Sequence, residues 1–170
     1  MKKMMYIIGL IISLTILIFI IGLFLPPERI VIRKGHFNTS PENLYEILTN
    51  NNDWQYRKSL KDLVIIENKD GVEVWDEISH DGATIRFTTR EKHPFSFYSF
   101  DMDSKLFSGY WTGEFKPDNK GGTIFTSTEY IKVKNPFVKT LSYLFFDIAR
   151  YMSIYQDDLQ EKLNERDDFL

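Results

Sequence analysis

From Met4 to Leu25 the chain carries no charged residue, and nearly every position is Ile, Leu, Phe or Met. At about 1.5 Å of rise per residue, a helix over this run spans about 33 Å. That length matches the roughly 30 Å hydrocarbon core of a bilayer. Ser13 and Thr15 can return their hydroxyls to the helix's own carbonyls, and Gly9 and Gly22 are tolerated in such helices. Lys2 and Lys3 close the run on one side, and Pro26, Pro27, Glu28 and Arg29 on the other. A cleaved leader has a shorter apolar core and a small-x-small exit. The exit here, Gly22-Leu23-Phe24-Leu25-Pro26, has neither Ala-x-Ala nor a Cys to lipidate. The expectation is a retained transmembrane helix over 4–25. Lys2 and Lys3 favour a cytoplasmic N-terminus, while Arg29, Arg33 and Lys34 pull the other way. Because long domains translocate largely regardless of charge, the soluble part is expected on the non-cytoplasmic side.

Residues 26–170 are one domain's worth of chain. They hold 19 Lys and Arg against 24 Asp and Glu, a formal charge of −5, with no basic cluster in the sequence. A nucleic-acid partner is therefore not expected. Cysteine is absent, which excludes disulfides, thiolate nucleophiles and Cys-held metals. His-x-x-His and His-Glu-x-x-His are missing, so neither a metal nor a cofactor is expected. His36, His80 and His93 lie at a strand end or in turns, where a histidine is usually a plain surface residue. No Gly-x-Ser-x-Gly, phosphate loop or dinucleotide fingerprint appears, and Gly121-Gly122 reads as a hairpin turn.

Alternation predicts a strand from Ile30 to Phe37. A short helix then starts at Thr39 or Ser40, with Pro41 at its first position. Trp54 to Ser59 reads as a second short helix or a turn. Strands follow over 63–67, 72–79, 83–91, 95–102, 107–115 and 123–133. Asn68-Lys69-Asp70-Gly71 makes a hairpin between the first two of these. Asn135-Pro136 then opens one long helix, in which Phe137, Leu141, Leu144, Ile148, Met152, Tyr155, Leu159 and Leu163 recur at steps of three and four. Glu161, Glu165, Asp167 and Asp168 mark its solvated end. A one-sided antiparallel sheet and a helix with one apolar stripe bury each other. The fold class is α+β: a curved sheet of about seven strands wrapped around a long C-terminal helix, over 28–166, preceded by one transmembrane helix.

The order of these pieces resembles the START-like (SRPBCC) helix-grip superfamily, in its polyketide cyclase/dehydrase-like branch. The resemblance covers roughly 29–164. It rests on Asn38-Thr39-Ser40-Pro41-Glu42-Asn43-Leu44-Tyr45, Asn52-Asp53-Trp54, Val74-Trp75-x-Glu77 and His93-Pro94. It continues with Phe107-Ser108-Gly109-x-Trp111, Gly122-Thr123-x-x-Thr126-x-Thr128-Glu129 and Asn135-Pro136. The resemblance implies a cavity for a lipid, sterol, polyketide or other hydrophobic molecule, catalysis in a minority of members, and a chaperone-partner role in others. Fold alone does not choose among these.

Candidate residues follow from both readings. Trp75, Phe87, Phe97, Trp111 and Phe115 either line a cavity or fill it, and a domain this small more often fills its core. Gly109 and Gly113 flank Trp111 and either bend the strand or open room for a ligand. Glu77 and Glu129 sit mid-strand. If either points inward, burial raises its pKa and suits it to proton transfer. The default for mid-strand charge on a one-sided sheet is to face water, or to pair with Arg86 or Arg90 across strands. Arg86 either holds an anionic ligand group or is a surface cross-strand charge. Leu144 and Ile148 are placed on the cavity side of the long helix. The leading expectation is non-catalytic: a membrane-anchored domain binding a lipid-like molecule between sheet and helix. The alternatives are a cyclase- or hydrolase-like enzyme using pocket carboxylates, and an envelope interaction module with a filled core.

Overall fold

The computed structural model describes residues 2–167, so the expectation for Asp168 lies outside the described residues. The chain begins with α1 (Lys2–Phe24). Next come β1 (Arg29–Phe37), α2 (Pro41–Thr49), β2 (Leu60–Lys69), β3 (Val72–Ser79), β4 (Thr84–His93), β5 (Phe97–Asp103), β6 (Ser108–Pro117) and β7 (Thr123–Lys132). Two helices close the described chain, α3 (Pro136–Phe145) and α4 (Ile148–Asp167). The seven strands form one antiparallel sheet in the order β1-β7-β6-β5-β4-β3-β2. Consecutive strands pair as hairpins, and β1 alone crosses to close against β7. Register shifts in the β2–β3 pair and in the β4–β5 pair add the local bend that an extra residue forces on one strand.

Local chemistry sets the boundaries. Ser40 caps α2, its hydroxyl accepting from the Asn43 N–H at 3.3 Å, with Pro41 at the first helical position. The β2–β3 hairpin turns on Asp70 (φ 53°) and Gly71 (φ 82°), the pair of positive φ values that a two-residue turn between twisted strands requires. Trp54 to Ser59 forms turns, not a helix. The Asp53 carboxylate there receives Lys162 of α4 at 3.0 Å, and Asp158 accepts from the Lys58 N–H at 3.0 Å. This turn therefore clamps the far end of α4.

The inner face of the sheet is the core. Phe37, Trp75, Phe87, Tyr98, Trp111, Phe115, Phe125 and Ile131 are buried there, covered by Ile148, Met152, Leu159 and Leu163 of α4. Gln156 completes that stripe. Its amide donates to the Ser127 hydroxyl at 3.3 Å, in the space that Gly35 leaves open on β1.

The single helix predicted from Asn135 onward is two helices. Phe146 is extended (φ −112°, ψ 107°), and Asp147 starts α4 by accepting from the Arg150 N–H at 3.0 Å. Arg29, from the start of β1, donates to the Ser142 and Phe146 carbonyls at 2.9 and 3.2 Å. Ser142 also accepts from the Phe146 N–H at 3.1 Å, so Arg29 adds a second donor there and gives the Phe146 carbonyl, past the last turn of α3, a partner. The apolar spacing runs across the break undisturbed, so periodicity could not reveal it. One consequence corrects a site expectation: Leu144 ends on the solvent side at 66% exposure, while Ile148, on the buried face of α4, is 1% exposed.

Two substitutions test this packing by thermal or denaturant unfolding of the full chain in detergent. Asp147→Ala is expected to cost about 1 kcal/mol, the usual value of a helix cap. Gly113→Ala is expected to cost about 1–3 kcal/mol by overpacking, because its Cβ would stand 2.3 Å from the Trp111 ring. Unchanged stability for Gly113→Ala would mean that the ring has room to move.

Candidate functional site

Three of the sheet's glutamates gather on its inner face. Side chains alternate along a strand, so a core ring at one position fixes the orientation of residues two away. Trp75 points inward, and Glu73 and Glu77 on either side of it do the same; all three are buried. Phe125 and Ile131 point inward on β7, and Glu129 lies between them in that alternation, opposite Trp111 on β6 and Val31 on β1. The outward default for Glu77 and Glu129 is therefore overturned, because each shares the parity of its strand's core residues.

The three carboxylates have different surroundings. Glu77 receives both terminal nitrogens of Arg57 at 2.6 and 2.7 Å, and the Trp75 indole N–H at 3.0 Å. Burial works against the Arg57 charge, but Glu77 beside it outweighs that and holds the guanidinium firmly protonated. Arg57 also lies over the Tyr155 ring at 5.2 Å, and its Nε has no acceptor. Burial raises the Tyr155 and Tyr56 hydroxyls above their usual range. Glu73 accepts from Asn51 at 2.6 Å and from Asn68 at 3.2 Å. Next to this cluster the Tyr98 hydroxyl is buried beside Thr89, and burial pushes its pKa up.

Glu129 has neither a cation nor a hydrogen-bond donor among the described residues. It is partly buried, and desolvation raises its pKa to about 7. A carboxyl so placed is protonated over much of the neutral range, and can donate a hydrogen bond as readily as accept one.

The aromatic residues fill the space between sheet and helix. Trp75 stacks on Phe87 at 5.3 Å and 11°, Phe100 meets both edge-on, and Phe100 stacks on Trp111 at 4.9 Å and 6°. Trp111 then meets Phe125 at 6.0 Å. Gly113 does not open room for a ligand, because the Trp111 ring occupies the place of its missing side chain. At Gly109, an added Cβ would stand 2.0 Å from the Tyr130 carbonyl oxygen, so that glycine serves close strand approach.

Two other candidates fall outside the inner face. Arg86 lies on the outer face in a two-pronged pair with Asp76, both contacts 2.8 Å, and this pairing lowers the Asp76 pKa. Phe97 also faces outward. It lies 5.8 Å from the His93 ring in an open cleft of about 420 Å³ lined also by Glu91, Ser96, Glu114 and Lys116. A second cleft, of about 280 Å³, lies between the 53–58 turn and α4. The histidines serve surface contacts: His36 with Asp118, His80 with the Lys58 carbonyl, and His93 with Glu91. Among the described residues no three His, Asp or Glu converge as metal ligands.

Sequence reasoning missed Arg57 and Glu73. Arg57 sits in an irregular turn with no period to orient it. Glu73 could have been found from its parity with Trp75.

No family model matches the chain, and no curated protein matches it. Solved structures do. The Zhui aromatase/cyclase from Streptomyces sp. R1128 superposes with a TM-score of 0.69 at 11% identity, over 82% of this chain and 95% of that one. Norcoclaurine synthase from Thalictrum flavum gives 0.66 at 13% identity, over 86% and 91%. The di-domain aromatase/cyclase BexL, from the BE-7585A biosynthetic pathway, gives 0.67 at 9% identity over 83% of this chain. This chain spans about half of BexL, 52% of its length. These superpositions, with the seven-stranded antiparallel sheet and the C-terminal helix, show that the chain adopts a helix-grip fold.

Proposed function

We propose that the chain is a membrane-tethered helix-grip domain that binds an apolar molecule with one polar end. The molecule lies between the inner face and α4, with its polar end at Glu129. The observation that carries this reading is the Glu129 carboxyl. A core that served only to hold the fold together would leave no carboxyl desolvated and unpartnered, since each such group costs stability. A ligand that hydrogen-bonds to Glu129 removes that cost, and so favours the conformation that admits it. The α3–α4 break lies at the end of α4 that carries Ile148 and Met152, opposite the end that the 53–58 turn clamps. α1 supports the tether. It is long and apolar enough to cross a bilayer and almost wholly exposed, unlike a core helix. Tethering keeps the binding face at high local concentration beside the acyl chains.

One observation favours a second reading. A carboxyl with a pKa of about 7 beside a wall of aromatic rings suits general acid–base chemistry at neutral pH. The neighbours in fold include proteins described as an aromatase/cyclase and a synthase. In that case the bound molecule is converted, and Glu129→Gln accumulates it unconverted. A binder returns it unchanged.

Native mass spectrometry of the full chain in nanodiscs, followed by lipid extraction, tests binding. The expected result is a co-purified apolar molecule that is lost in Glu129→Leu, while Glu129→Leu at pH 8 gains about 1–3 kcal/mol of stability by removing an unpaired buried acid. No bound molecule, or one indifferent to Glu129→Leu, contradicts the proposal.

A pH series gives an independent check. Glu129's folded pKa is raised from 4.5 to about 7, so its contribution is fully present below pH 4.5 and is lost as pH rises through 7. Wild type is expected to lose on the order of 3 kcal/mol relative to Glu129→Gln across that window. Parallel curves for the two proteins would show that the carboxyl is not desolvated.

A further inference from the structure

We infer that α3 packs antiparallel to the last turns of α1 and dips the α3–α4 junction into an anionic bilayer surface, beside the point where α1 leaves the membrane. This rests on the reading of α1 as membrane-spanning.

Placement is the first argument. α3 lies against the last turns of α1. The Pro136 carbonyl fills the place of a side chain at Gly22, and the Thr140 hydroxyl donates to the Ile18 carbonyl at 2.7 Å. Ile18 is six residues before Phe24, about 9 Å down the helix axis. Gly22 meets Pro136 while Ile18, one turn deeper, meets Thr140, so α3 runs antiparallel to α1 and carries its apolar end towards the acyl chains.

Exposed apolar surface is the second. Phe145 is 82% exposed, and Leu144, Phe146, Tyr151 and Ile154 are exposed beside it. This surface is continuous with the apolar helix α1, and α3 carries a single charge, Lys139. Backbone groups entering the bilayer need internal partners. Arg29 donates to the Ser142 and Phe146 carbonyls, with its guanidinium 4.6 Å from the Tyr143 ring centroid.

Charge is the third. Stretches 28–33 and 132–150 hold six cations, Arg29, Arg33, Lys132, Lys134, Lys139 and Arg150, against Glu28 and Asp147. Their net charge is +4 in a domain whose total from residue 26 is −5, so the remainder carries −9. α4 bears Asp157, Asp158, Glu161 and Glu165 toward the opposite end, where Lys162 joins Asp53. An anionic leaflet attracts the first region, by about 1 kcal/mol per cation near the surface, and repels the second. Apolar insertion and charge orient the domain the same way.

The chain has no cysteine, so single labels are clean. Full-length Phe145→Cys, Leu17→Cys and Lys61→Cys carry an environment-sensitive fluorophore in vesicles of phosphatidylcholine mixed with anionic phosphatidylglycerol. The labels are quenched in parallel by lipid-borne nitroxide and by aqueous iodide. The expected result is lipid quenching at 17 and 145 and iodide quenching at 61. Adding Lys134→Gln, Lys139→Gln and Arg150→Gln is expected to move the label at 145 from lipid to iodide quenching. A label at 17 in lipid with 145 open to iodide overturns the inference and leaves the anchor intact. Iodide access at 17 overturns the anchor and the inference with it. A label at 145 held in lipid despite the three substitutions overturns the requirement for an anionic surface.

Discussion

Rings from five neighbouring strands run across the inner face, from Trp75 through Phe87, Phe100 and Trp111 to Phe125. Each pair adds about 0.5–1.5 kcal/mol beyond the burial of its surface, and the register of the sheet fixes which rings meet. Phe87 reaches Trp75 because the two are cross-strand partners, and Phe100 reaches Trp111 for the same reason. Gly113 is needed because Trp111 lies over it. The seating of α4 depends on this layer, since Ile148, Met152 and Leu159 are buried against the side of the sheet that the rings cover.

Three glutamates share that face, and their differences give the site its character. Glu77 is matched by Arg57, and Glu73 by Asn51 and Asn68. Paired buried charge of this kind is close to neutral for stability against an apolar replacement, while losing one partner is costly. Glu129 is partly buried and has no such partner among the described residues. A chain under selection for stability alone would place Leu or Val there, as it does at Ile131. The unpaired acid is the feature that packing does not explain.

Much of this was legible in the residues. Asp70-Gly71 announced its hairpin, Ser40-Pro41 and Asn135-Pro136 their helix starts, and alternation the strands, so the helix-grip order is written in the residues themselves. Glu73, Glu77 and Glu129 were also legible in principle, through parity with Trp75, Phe125 and Ile131; the rule that strand charges face water obscured them. The α3–α4 break was not legible. The apolar stripe continues through it, and the break depends on Asp147 capping locally and on Arg29 arriving from far along the chain. The room expected beside Gly109 and Gly113 was misread for a similar reason: what fills a missing side chain is decided by neighbouring strands.

Infrared difference spectroscopy of the full chain, wild type minus Glu129→Gln, observes the central carboxyl directly. The account predicts a protonated carbonyl band of a carboxyl without hydrogen bonds in the ligand-free protein, persisting up to about pH 7, and moving to lower frequency when the extracted apolar molecule is returned. A band that vanishes near pH 4.5, the ordinary value for glutamate, or that is unmoved by the ligand, would contradict it.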